Sequence, residues 1–211
     1  MGTDEGVIQF KLDYTATEPF APEAVADLAA WRRVLHLLGL IGQDPDRYDG
    51  YGYGNISRRQ GRNAGTGFMV SGSQTGHLSE LDGRHWARVF DWDIPGNRAA
   101  AQGPTRPSSE SLAHAALYER SPDVGAVIHA HSPRIWRHGL RTGRPATPPD
   151  AAHGTVAMAS AVGDLLDRPD VGAKGVFIMA GHEDGVIAFG KDLREAGLLV
   201  VEALAEALRA L

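Results

Sequence analysis

His129-Ala130-His131 closes the apolar run at 124–128. In an extended strand, side chains two positions apart share a face, so both imidazoles can reach one ion. Neutral imidazole suits zinc and similar divalent metals. The chain has no cysteine, which excludes disulfides and thiolate sites and leaves His, Asp and Glu as the available ligands. Glu110 precedes this strand by a short helix and offers a carboxylate as a fourth group. His182 sits between two later apolar runs and supplies a third imidazole from a distant part of the chain. Three histidines with a coordination position left open make a catalytic rather than a structural zinc arrangement.

The other six histidines are read first as packing or surface residues. His36 falls within the first helix; His85 and His138 are expected to be exposed. His114 is one helical turn from Glu110 and either orients it or belongs to the core. His77 and His153 lie beside glycines and could line a pocket.

Three polar elements could hold an anion. Gly54-Asn55-Ile56-Ser57 and the loop from Ser71 and Gly72 to Gly76 offer backbone N–H groups, an amide and hydroxyls. Ser108 and Ser109 stand where a helix begins, and its free N–H groups favour negative charge. Together they could converge on a phosphate or carboxylate. Gly50-Tyr51-Gly52-Tyr53-Gly54 lacks the spacing of a nucleotide fingerprint, and no GxSxG nucleophile motif is present.

Elements that would position these residues follow from periodicity. Residues 1–20 read as an irregular or partly extended arm. Helical spacing over 22–40 begins near Pro22 and ends at Gly39 and Gly42. Residues 42–54 read as a loop. Strands are expected at 55–59 and 68–70 around a turn at 62–67, and another at 86–93, with 96–106 as a surface connection. A helix opens at Pro107-Ser108-Ser109-Glu110, with the serines as N-caps. Residues 123–131 form a buried strand. Pro145, Pro148 and Pro149 make 142–150 a loop, and 156–166 is a helix. Runs at 176–179 and 186–189 read as a hairpin with His182 in its connection. Asp192 caps a last helix running to Leu211. No internal repeat, low-complexity tract or linker interrupts residues 1–211, which predicts a single α/β domain.

With 211 residues, 43% hydrophobic and 22% charged, the chain can bury a sizeable core. Its net charge of −5 and the absence of a dominant basic stripe argue against nucleic acid and anionic membrane as partners; the Arg-rich stretch at 134–144 is too dilute to alter that. There is no signal-peptide-like N-terminus and no long apolar window, so a soluble, cytoplasmic protein is expected.

Taken in order, Gly54-Asn55-Ile56-Ser57, Ser71-Gly72, Pro107-Ser108-Ser109-Glu110, Val127 through His129-Ala130-His131-Ser132, and Gly181-His182 followed by Gly185-Val186-Ile187-Ala188 resemble the class II aldolase/adducin family, over roughly residues 22–205. The resemblance implies a three-layer α/β/α sandwich around a mainly antiparallel central sheet. It implies a divalent metal, zinc first and Mn2+, Co2+ or Fe2+ as alternatives, on His129, His131 and His182. Glu110 is implied as the acid/base, and Asn55, Ser71, Gly72, Ser108 and Ser109 as the substrate-anion loops. Homotetramers with active sites between subunits are usual. The activity implied is a lyase, an aldolase acting on a small hydroxy-carbonyl or sugar-phosphate substrate through an enediolate. Epimerase, dehydratase or decarboxylase chemistry is the alternative within the family, and a non-catalytic adducin-like interaction domain the alternative outside catalysis. Two features depart from the family. Glu183-Asp184 is inserted between His182 and Gly185, which places a carboxylate near the site. The connection at 132–155 has no tyrosine to donate a proton, leaving Asp150 and His153 as substitutes.

Overall fold

A computed structural model of the chain describes residues 7–61, 67–172 and 174–210. Residues 1–6 of the expected arm, residues 62–66 of the expected turn and Leu211 lie outside them. In chain order the elements are β1 (Lys11–Ala16), α1 (Pro22–Leu37), β2 (Gly42–Gln43), β3 (Gly52–Tyr53), β4 (Asn55–Arg59), β5 (Phe68–Ser71), β6 (Trp86–Asp93), β7 (Arg98–Gly103), α2 (Ser111–Arg120), β8 (Ala126–His131), α3 (Pro133–Thr142), α4 (Val156–Leu166), β9 (Gly175–Ile178), β10 (Gly185–Gly190) and α5 (Leu193–Arg209). None of the described helices is long and apolar enough to cross a membrane.

Eight strands form one sheet in the order β1-β7-β6-β5-β4-β8-β10-β9. The sheet is mixed. β1 pairs with β7 in parallel, while the pairings from β7 through to β9 are antiparallel. Period-two alternation sends successive side chains to opposite faces. Val127 and Ile187 join α2 and α4 in one apolar cluster. Ile128, Val186 and Ala188 join residues of α1, α3 and α5 in a second cluster. Two helical layers thus flank the sheet, and His129 and His131, in phase with Val127, point toward the α2/α4 layer.

Several local readings match. β6, α4 and the β9–β10 hairpin fall where periodicity puts them, and Asp192 caps α5 by accepting from the Glu195 N–H at 2.8 Å. Residues 96–106 differ, because they hold β7 within the sheet. Its Ala99, Ala100 and Ala101 are buried; alanine's weak strand preference conceals a strand whose small side chains suit close packing. The expected arm likewise contributes β1, recruited by β7 through long-range pairing. Residues 42–54 are not all loop, since β2 and β3 pair there. The connection at 132–155 contains α3. Ser132 Oγ accepts from the Ile135 N–H, Pro133 occupies the first turn, and Gly143 ends the helix with φ 73°. Those are ordinary start and stop signals. Finally, the residue at the N-cap position of α2 is Glu110, with no side-chain cap. Ser108 Oγ instead accepts from the Glu110 N–H at 3.2 Å.

The α2 face of the sheet carries a buried polar chain. Ser57 Oγ lies 2.7 Å from His114 Nδ1 and 2.7 Å from the Tyr118 hydroxyl. Of the two roles open to His114, the core role is the one this network gives it. Burial, reinforced by His129, pushes its pKa down to about 3. The unfolded chain takes up a proton near pH 6.5 that the folded chain refuses until about pH 3. The neutral ring's contribution to stability is therefore complete above pH 6.5 and is lost as pH falls through that window. His114→Asn keeps an acceptor there and removes the titration. Its urea-unfolding free energy should fall less steeply between about pH 6.5 and 4.5, by up to about 1.4 kcal/mol per pH unit. Parallel slopes for the two proteins would refute this.

Candidate metal centre

β8 is held on both sides, and this fixes where its histidines stand. His129 is opposite Ile187 of β10 and Asn55 of β4, and His131 is opposite Gly185. The β9–β10 turn then brings His182 over the end of β8. Gly181 makes that turn possible: a Cβ there would lie 2.1 Å from the Ala151 carbonyl oxygen. The close approach also carries His153 onto His182, their rings stacked 4.6 Å apart.

The three nitrogens of His129, His131 and His182 lie within 4.8 Å of one another, and all three residues are buried. His129 Nδ1–H donates to the Val186 carbonyl at 3.3 Å. That bond fixes the tautomer and leaves Nε2 as the ligating nitrogen. Nε2 of His129 and Nε2 of His131 are 3.1 Å apart, close to the about 3.3 Å between two imidazole nitrogens on a tetrahedral zinc. Burial, then the neighbouring His182, His129, Arg47 and His153, hold the His131 pKa well below its ordinary value. Burial and then His153 push that of His182 down to about 3, against a smaller opposing effect of Asp184. The His131 and His182 rings are thus neutral near pH 7, the form that binds a cation. This donor set fits a divalent metal.

Glu110 is 2% exposed and is not one of that three-residue group. Its Oε1 is 3.9 Å from Nδ1 of His153, the ring stacked on His182. Asp150, the other candidate for the missing tyrosine, is exposed; His77 is also exposed and borders a surface hollow with Gln43, Pro45 and Gly50.

The anion loops converge through a short bridge between Gly72 and Pro107. Asn55, Gly72, Ser108 and Ser109 line one small hollow with Gly52, Gly54 and residues 73–76. Asn55 Oδ1 is buried without a hydrogen-bond partner among the described residues, a cost that a bound ligand would remove. Ser71 is placed differently. Its Oγ accepts from the Ile56 N–H at 3.2 Å and ties β5 to β4.

Three side chains that the motifs do not single out complete the surroundings. Tyr48 packs edge-on against His131 at 4.6 Å between ring centroids, and Tyr53 lies against the same ring at 5.4 Å. The Tyr48 hydroxyl donates to Asp184 Oδ2 at 2.8 Å, and Arg47 donates to both. The inserted carboxylate therefore holds this clasp. Tyr48 and Asp184 both take positive φ, 52° and 60°, a conformation that costs non-glycine residues about 1–3 kcal/mol each and gathers at functional sites. Asp184→Asn should weaken zinc binding by about 10–100-fold by loosening the wall behind His131. Competition against a chromophoric chelator reads this; an affinity within about twofold of wild type would show that the clasp does not support the ligand.

The family described as Class II Aldolase and Adducin N-terminal domain matches residues 44–210. A methylthioribulose-1-phosphate dehydratase of Stenotrophomonas maltophilia (strain K279a) is 32% identical over 152 residues, covering 60% of this chain and 65% of that protein. One from Gluconacetobacter diazotrophicus is 40% identical over 119 residues, covering 56% of this chain and 48% of that protein. The matched stretch thus spans less than two thirds of these relatives. Among solved structures, L-fuculose-1-phosphate aldolase from Thermus thermophilus superposes with a TM-score of 0.61 at 21% identity, covering 88% of this chain and 91% of that one. A sugar-phosphate aldolase from Thermotoga maritima does so with a TM-score of 0.62 at 16% identity, covering 89% and 94%. At such identities the likeness is one of fold.

Proposed function

This chain belongs to the class II aldolase/adducin family, and from that premise we propose that it is a divalent-metal-dependent lyase that dehydrates a small ketose phosphate. The observation that carries the proposal is the buried cluster of His129, His131 and His182 beside Glu110. Dehydration is preferred to aldol cleavage because the curated relatives, at 32% and 40% identity, are named as dehydratases. Methylthioribulose 1-phosphate is the first substrate to test. Residues 1–211 are taken as one catalytic domain that works as a homo-oligomer, with zinc as the first metal to load.

His129, His131 and His182 would hold the metal, which would supply Lewis-acid polarisation of the substrate's oxygens. Glu110 takes the proton from the carbon next to the carbonyl. The hydroxyl on the following carbon departs as water after receiving a proton. His153, 3.9 Å from Glu110 and stacked on His182, is placed to relay that proton in the absence of a tyrosine at 132–155. Asn55, Gly72, Ser108 and Ser109 receive the phosphate, while Ser71 shapes the hollow from behind.

The test is product analysis of the zinc-loaded protein with methylthioribulose 1-phosphate. Loss of one water, seen as a decrease of about 18 Da by mass spectrometry, is expected without carbon–carbon cleavage. Cleavage fragments would return the aldolase reading, and no turnover with this or other ketose phosphates would favour a non-catalytic role.

A further inference from the structure

A second cavity, about 790 Å³ in volume, adjoins the metal centre, with His131 in its lining, between the ends of α1, α3 and α5. Arg134, Arg137 and Arg141 line it from α3, and Arg47 joins them from the β2–β3 connection. Positions 134, 137 and 141 follow helical spacing and present one basic stripe, while Ile135 and Gly139 are buried against the core. Among the described residues no aspartate or glutamate lines this cavity, although the chain has 26 acidic residues against 21 basic ones. Neither Arg134 nor Arg137 has an ion pair or hydrogen bond among the described residues. Arg141 donates to His138 Nδ1 at 3.2 Å, and Arg47 is held by Asp184. The facing wall is apolar, from Leu38, Leu204 and Leu208.

This arrangement differs from the hollow at Asn55 and Ser108, whose lining includes no cationic side chain. Four guanidinium groups with no carboxylate in the lining suit a free anion, and guanidinium forks match phosphate oxygens in pairs. We propose that the cavity lined by Arg47, Arg134, Arg137 and Arg141 is a second anion-binding site that takes a phosphate monoester on a short apolar stem. The stem lies on the leucine wall and the phosphate on the α3 stripe. The anion's proposed partners are the α3 arginines and not the metal, although His131 also lines the cavity, so titration with and without metal tests the site separately from the proposed catalytic function.

Calorimetric titration of the metal-loaded protein with butyl phosphate tests this. Saturable binding is expected, about tenfold or more weaker in Arg134→Gln/Arg137→Gln and weaker as salt is raised. Both arginines are exposed, so the double variant should keep the unfolding midpoint of the parent. The same titration after metal removal separates the cavity from the metal as the phosphate's partner, and binding should persist. Equal affinity in the arginine variant, loss of binding with the metal, or no saturable binding would each overturn the proposal.

Discussion

Replacing His129 and His131 together by alanine should reduce the divalent ion carried by the purified, zinc-reconstituted protein from about one per chain to less than about 0.1. The two rings face one side of β8 with Nε2 atoms 3.1 Å apart, and His182 alone cannot retain an ion against water. Mass spectrometry of metal content reads the result directly. Both side chains are buried, so circular dichroism and urea unfolding of the variant must accompany it. The expected outcome is a folded chain, of reduced stability, that binds no metal. A variant that still holds about one ion per chain would mean that the metal is bound elsewhere, and the proposed mechanism would fail with it.

The second large effect is at Glu110. Glu110→Gln preserves shape and hydrogen-bonding capacity but cannot accept the substrate's proton. It should lower kcat by about 10²–10⁴-fold while leaving zinc content unchanged, because Glu110 lies outside the three-histidine group. Steady-state kinetics beside metal analysis separates the possibilities. Activity within about tenfold of wild type would remove Glu110 from proton transfer. Loss of the metal would instead make it structurally necessary to the centre. His153, 3.9 Å from the Glu110 carboxylate, predicts a milder companion effect, visible as a changed pH profile in His153→Gln.

The ligand types were legible because they obey local rules. A buried strand ending in His-x-His puts two imidazoles on one face whatever surrounds it, and the apolar runs flanking His182 mark a hairpin. The Asp192 cap of α5 and the extent of α4 follow from equally local chemistry. α3 was also written locally, in Ser132-Pro133, in Ile135 and Gly139 on one buried face with the arginines on the other, and in Gly143. β7 was not legible. Three alanines carry no strand signal of their own, and only pairing with β6 and β1 makes them extended.

The sequence by itself determined which atoms could bind a metal and which pair of them must lie side by side. Only the tertiary structure decided what joins them. The register of β10 on β8 and the close approach of Gly181 to Ala151 bring in His182 and His153. Packing sets Tyr48 against His131 under an aspartate 136 residues away in the chain. It also turns a dilute run of arginines into one wall of a cavity. The reason is the range of the forces that select each feature. Side-chain phase within an element is fixed over a few bonds. Contacts between elements depend on which strands pair and how the layers pack, and no short stretch of sequence encodes that.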